Sequence, residues 1–265
     1  MKSVVEIIET GVSCGATGYT FSTHPANLMI VNALRNSGKI ENGFGLYPVL
    51  PYAQGYVRLA NEKGMGGLVN EALSKLSFSD KATALFKGGL SALRLDPDGI
   101  LKAYVNMELA GYLSEKPENV PLRSVLLHEV VTDLCLGLRD VHLVDAFAQH
   151  IREKYHVSPG FVTYNLVTFV ELFRKAGLTM EDVIIMTPFN SIGYQMSPSK
   201  QPCESCLSSL PESTLIAMST MAGGYLTVER SLDYLRSLPR LSGVAVGVSS
   251  KEHAEYTFKK LKSSL

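Results

Sequence analysis

From residue 124 to the C-terminus, short apolar runs alternate with stretches of helical spacing. Ser124-Val125-Leu126-Leu127-His128-Glu129-Val130-Val131 reads as a buried strand, and residues 140–156 follow with apolar positions at Val141, Val144, Ala148 and Ile151, one face of a helix. Phe161-Val162-Thr163-Tyr164 reads as the next strand, entered through Ser158-Pro159-Gly160. A helix over 167–176 stops at Gly177, a residue suited to the position just past a helix end. Further strands are expected at 182–187, 214–219 and 244–248, with a helix from Val228 to Leu238 and a terminal helix from about Lys251. These strands are continuous apolar runs without alternation, the pattern of a sheet covered on both faces.

The first half is less regular. Strands are expected near 18–23 and 44–50, separated by a helix over 26–36. Residues 67–113 have helical spacing, broken at Gly88-Gly89 and at Asp96-Pro97-Asp98-Gly99. That makes seven strands, with an eighth expected between 52 and 120 or at Val4–Ile8. Strands and helices in alternation imply parallel strands with right-handed crossovers. An open nucleotide-binding sheet would carry a glycine-rich turn after its first strand, and no G-x-G-x-x-G occurs. The expectation is therefore an α/β fold, a (β/α)₈ TIM-type barrel spanning 1–265 as one domain, since such barrels need about 250 residues.

Composition narrows the function class. Lys plus Arg and Asp plus Glu number 25 each in 265 residues, so neither a nucleic-acid nor a membrane-surface partner is expected. No apolar run is long enough to span a bilayer, and the glutamates of the first ten residues interrupt any signal-peptide core, so a cytoplasmic protein is expected. The four cysteines suit a reducing compartment. Cys203-Glu204-Ser205-Cys206 is a C-x-x-C without a second pair, and no metal is expected there.

In a barrel, polar residues at strand C-termini are site candidates. Here they are His24, Tyr47, His128, Glu129 and Asp133, then Thr163, Asn165, Thr187, Asn190, Ser219, Ser249 and Ser250. His128 is the expected catalytic residue, because imidazole titrates nearest neutral pH. Its side chain and that of Glu129 would point to opposite faces of one strand. Asn165 and Asn190 offer donors and acceptors for a polar ligand. Ser249 and Ser250, before a helix, suit an anion or simply cap that helix. His24, Tyr47, Glu129 and Asp133 are expected on the substrate side.

From residue 124 onward the chain resembles the C-terminal half of the aldo-keto reductases. Val125-Leu126-Leu127-His128 with Asp133 resembles the family's fourth strand, which ends in its catalytic His, and Phe161 to Asn165 resembles the strand whose Asn holds the nicotinamide carboxamide. Ile184 to Asn190, Ile216 to Met221 and Gly243 to His253 resemble later strands and the cofactor-phosphate loop. The resemblance implies NADP or NAD, contacted by Asn165, Asn190, Ser219, Ser249 and Ser250, and an oxidoreductase acting on a small carbonyl or hydroxyl compound. Met186 stands where the family has a Gln and Met218 where it has a ring-stacking Tyr. No D-T-A…Y segment or strand-ending Lys completes the tetrad in the first half. Two other readings stand beside it: a lyase or hydrolase using His128 as acid/base, with or without a metal, and a barrel that binds a small molecule without catalysis.

Overall fold

A computed structural model describes residues 2–40, 43–50, 97–113, 119–210, 215–239 and 241–263. Its seven strands are β1 (Gly18–Ser22), β2 (Gly45–Leu50), β3 (Ser124–Leu127), β4 (Ser158–Val162), β5 (Ile184–Pro188), β6 (Leu215–Met218) and β7 (Gly243–Val244). They pair in chain order, every neighbouring pair parallel. The described helices are α1 (Lys2–Ser13), α2 (Pro25–Ser37), α3 (Pro97–Ala110), α4 (Glu129–Leu138), α5 (Val141–Tyr155), α6 (Leu166–Lys175), α7 (Lys200–Leu207), α8 (Val228–Ser237) and α9 (Lys251–Lys262).

Sequential order sends every crossover the same way, so the sheet curls. Its two edges, β1 and β7, would stand about 29 Å apart if six strand spacings lay flat. Yet α1, which enters β1, packs along α9, which follows β7. A Cβ on Gly11 would lie 3.1 Å from the Phe258 ring, and Lys251 pairs with Glu6. The convex face holds the main core. Val125, Leu127, Phe161, Ile185, Leu215 and Ala217 point outward from the strands onto the helices. Phe161 meets Phe169 and Phe173 of α6 at centroid distances of 5.3 and 5.7 Å, and Phe147 of α5 at 5.6 Å. The intervening residues point to the concave face, where Leu126, Val162 and Met186 cluster with Tyr47, Val49, Ile216, Met218 and Ala245. A strand buried on both faces needs no alternation, which is why the sequence shows none.

The fold is α/β with a curled, seven-stranded parallel sheet, the coarse form of the expected barrel. Two expectations are corrected. Val4–Ile8 is not a strand but part of α1, whose apolar residues continue at Ile8 and Val12 with helical spacing. The run 125–131 is split, because β3 ends at Leu127 and Glu129, Val130 and Val131 open α4. At the expected break near 96–99 the described residues open a helix at Pro97, in whose first turn the missing N–H costs nothing. The interval 52–96 and the glycine pair Gly88-Gly89 lie outside the described residues. Among the described residues, no helix is long and apolar enough to cross a membrane.

Candidate active site

Parallel strands in chain order place all their C-terminal ends on one side, and the polar residues there divide by what the local backbone already asks of them. His128 follows β3 and is the N-cap of α4. Its backbone is extended and its Nδ1 accepts from Val130 N–H at 3.2 Å. It is therefore not a mid-strand residue opposed to Glu129. Glu129 is the first residue of α4, and its Oε2 lies 3.1 Å from the same Nδ1. Nδ1 has a single lone pair. A neutral imidazole accepts the Val130 N–H there and keeps its proton on Nε2. A protonated one turns Nδ1–H to Glu129. In both states Nε2–H points away from the cap, and no described residue accepts it. The side chain is partly exposed, at 22%.

Asp133, one turn further along α4, is spent on the fold. Its Oδ1 accepts the buried Thr163 hydroxyl and its Oδ2 accepts Tyr164 N–H at 3.1 Å, while Thr163 Oγ1 accepts Asn165 N–H at 2.9 Å. This network fixes the turn that leaves β4. It leaves two polar side chains with no hydrogen-bond partner among the described residues: the Tyr164 phenol and the Asn165 amide. Asn165 is the N-cap of α6 but makes no side-chain cap bond. Burial, and then the charges of Glu129 and Asp133 and the Tyr194 phenol, push the Tyr164 pKa upward. The phenol therefore stays protonated, a donor, beside the His128–Glu129 pair. Tyr164 was not singled out from the sequence, although it lies between two residues that were.

Asn190 is fully buried, and every polar atom of its amide is used. Nδ2 donates to Tyr194 O at 2.8 Å and Ser219 O at 3.3 Å, and Oδ1 accepts Tyr194 N–H at 2.7 Å. It ties the loop after β5 to the end of β6, so the amide expected to face a ligand is engaged within the fold. Ser219, in left-handed backbone, donates to Gln195 Oε1 at 3.3 Å. Ser250 caps α9, accepting His253 N–H at 3.1 Å, so of the two serines only the exposed Ser249 is uncommitted. Thr187 is buried within β5.

His24 repeats the geometry of His128 at the other side of β2. It follows β1, caps α2, and its Nδ1 accepts Ala26 N–H at 3.0 Å. Tyr47 does not stand at a strand end. It is the third residue of β2, and its ring leans over Gly18 at the start of β1, where an added Cβ would come within 2.6 Å. Expected on the substrate side, it lies on the concave face with its ring toward the start of β1. The sequence pattern correctly marks Tyr47 as strand but cannot show which way the ring leans.

The cysteines carry no such features. Cys203 is buried, its thiol donates to Ser197 O at 3.3 Å, and burial pushes its pKa up to about 11, so it is no ready nucleophile. No cluster of three or more His, Cys, Asp or Glu suited to a metal occurs among the described residues. Two cavities among the described residues do not include His128, Tyr164 or Asn165. One of about 510 Å³, lined by Ser191, Ile192, Tyr225, Leu226, Arg230, Asp233 and Tyr234, lies beside the loops after β5 and β6. One of about 570 Å³, including Arg123, Arg152, His156 and Asp182, lies at the strands' N-terminal side.

No family model and no curated protein matches the chain. Among solved structures, it is similar to a crystal structure from Pseudomonas aeruginosa provisionally designated an aldo-keto reductase. The two share 10% sequence identity at a TM-score of 0.62, over 99% of this chain and 83% of that one. At that identity the likeness is one of fold: this chain has an aldo-keto-reductase-like architecture.

Proposed function

We propose that the chain is an oxidoreductase of small carbonyl or hydroxyl compounds, a single TIM-type barrel domain working at the C-terminal mouth of its strands. The observation that carries this reading is the set of uncommitted polar groups at adjacent strand ends: His128 Nε2–H after β3, and the Tyr164 hydroxyl and Asn165 amide after β4. Two donors there suit one substrate oxygen. Hydrogen bonds aimed at an oxygen as charge develops on it are commonly the largest single contribution to catalysis. In the reducing direction His128 passes a proton to that oxygen, and Glu129, 3.1 Å from Nδ1, stabilises the imidazolium when the ring is charged. Tyr164, held protonated, orients the oxygen.

Bound NADP or NAD would supply the hydride. The residues suit such a cofactor in part. The Asn165 amide is free to pair with a carboxamide, Ser219 is partly exposed, and Ser249 is exposed ahead of α9. Asn190 and the Ser250 hydroxyl are committed to the fold, and Met186 and Met218 present an apolar concave face in place of the family's Gln and Tyr. The protein is taken to act in the cytoplasm on a small molecule, with neither nucleic acid nor membrane as partner.

The His128–Glu129 pair also favours a second reading, acid/base catalysis in a lyase or hydrolase. Asp133 is not available to help a metal there, because both its oxygens are used. Melting with NADH and NADPH separates the two. Saturation at a hundred times Kd adds about 2.7 kcal/mol, which for a chain of this size raises Tm by about 5 °C or more. No shift at millimolar nucleotide removes the redox reading and leaves the acid/base one.

A further inference from the structure

The cavity of about 510 Å³ lined by the loops after β5 and β6 and by α8 brings exposed apolar groups together on a concave surface. Tyr225, at 76%, is the most exposed large hydrophobic residue among the described ones, and Ile192 of the other loop is 52% exposed. Both line this cavity, with Leu226 and Tyr234. Its volume falls within the range of about 300–1,000 Å³ usual for small-molecule sites. The walls are held in place before any ligand arrives. Asn190 fixes the loop after β5 through both backbone groups of Tyr194, and Lys200 Nζ donates to Ser191 O at 3.0 Å. The N–H groups of Gly224 and Leu226, each 3.0 Å from Met221 O, close the loop after β6. Tyr234 donates to Glu204 Oε1 at 2.8 Å, and Lys200 Nζ stands 5.8 Å from its ring centroid. A ligand therefore binds without first having to order these groups.

Two charged residues complete the lining. Asp233 is paired with Arg236, its Oδ1 3.5 Å from Nη1. The Arg230 backbone N–H donates to Thr227 Oγ1, but its guanidinium meets no hydrogen-bond or ion-pair partner among the described residues. We propose that this cavity binds an aromatic carboxylate, with the ring against Tyr225, Ile192 and Tyr234 and the carboxylate on Arg230. Aromatic rings packed offset or edge-on attract each other beyond simple burial. The planar guanidinium fork matches a carboxylate through two parallel hydrogen bonds. A single guanidinium also suits a single negative charge, whereas a phosphate monoester carries close to two. The lining excludes His128, Tyr164 and Asn165, so the site stands whether or not the redox reading does.

Ligand NMR titrations of the full chain with benzoate, its uncharged amide benzamide and the non-aromatic cyclohexanecarboxylate test this. Benzoate should bind at one site with a Kd of a millimolar or below, and the other two about tenfold more weakly, since each lacks one of the two contacts. Arg230→Gln should weaken benzoate about tenfold and leave benzamide as it was. Tyr225→Ala should weaken both. The two side chains are exposed, so both variants should melt at the wild-type temperature. No binding of benzoate at millimolar concentrations overturns the proposal. So does binding that both variants leave unchanged, which would place it elsewhere. Displacement of benzoate by NADPH overturns it as well, because the cavity would then be the adenosine end of a cofactor site.

Discussion

At His128 the two ring nitrogens differ: Nδ1 serves the helix, and Nε2, without a partner among the described residues, is the atom the proposed reaction uses. Asn in its place keeps a side-chain oxygen for the cap and loses the proton carrier. His128→Asn should therefore melt within a few degrees of wild type while activity falls. His128→Ala should lose in addition about 1 kcal/mol of capping, visible as a small drop in Tm. Asn190 behaves in the opposite way. Removing its amide strands the Tyr194 N–H, the Tyr194 carbonyl and the Ser219 carbonyl in or near a buried site. Asn190→Ala should cost about 2–4 kcal/mol, read by urea unfolding. A mild effect on stability with total loss of ligand binding would return Asn190 to the pocket. Both residues follow a strand in the sequence and look alike there. What separates them is whether the neighbouring backbone turns its N–H groups toward the side chain, and no spacing rule reports that.

At the scale of elements, the boundary between β3 and α4 shows where the sequence misleads. Val130 and Val131 continue the apolar run of Val125 to Leu127, and β-branched residues favour strands, so the run reads as one strand. The structure ends the strand at Leu127, because an imidazole can cap a helix much as Asp or Asn does, a start signal that the usual Ser/Thr/Asp/Asn preference does not include. The later elements were plainer. The helices near 140–156, 167–176 and 228–238 appear within about two residues of their expected bounds, since amphipathic spacing over ten or more residues leaves little choice. Another element-scale feature lies between α3 and α5. There His150 Nε2 meets Asn106 Oδ1 at 2.9 Å and Tyr155 donates to the same oxygen at 2.7 Å. Burial, then the charges of Lys154 and Lys102, lower the His150 pKa from 6.5. The unfolded chain therefore binds a proton that the folded chain resists. Stability is unaffected above pH 6.5 and is lost as pH falls from there toward the depressed folded value. His150→Gln should flatten the slope of unfolding free energy against pH between 6.5 and 5.5. An unchanged slope would mean that other groups govern the acid limb.

For the whole molecule, strand order decides where chemistry sits. Seven parallel strands paired in chain order bring their C-terminal ends to one side, so the segments that carry His24, His128, Tyr164, Asn165, Ser219 and Ser249 leave the sheet on the same side although they span most of the chain. The same order makes the sheet curl until α1 meets α9. Part of this was legible: alternation points to parallel strands, and the curled sheet is the coarse form of the barrel that length and the missing glycine-rich turn favoured. The lean of Tyr47 toward Gly18 and the free phenol of Tyr164 were not, because they follow from rotamers and turn geometry that one sequence does not encode in its spacing. The central claim is that His128 and Tyr164 together act on a substrate oxygen at this mouth. The direct measurement is turnover of a panel of small aldehydes and ketones with NADPH or NADH by wild type, His128→Asn and Tyr164→Phe, with each melting temperature recorded. Losing a positioned proton donor costs about a hundredfold or more. The account predicts a fall of that size in kcat/KM for His128→Asn and a smaller one for Tyr164→Phe, with both proteins melting close to wild type. Turnover by wild type that both variants retain in full would contradict it.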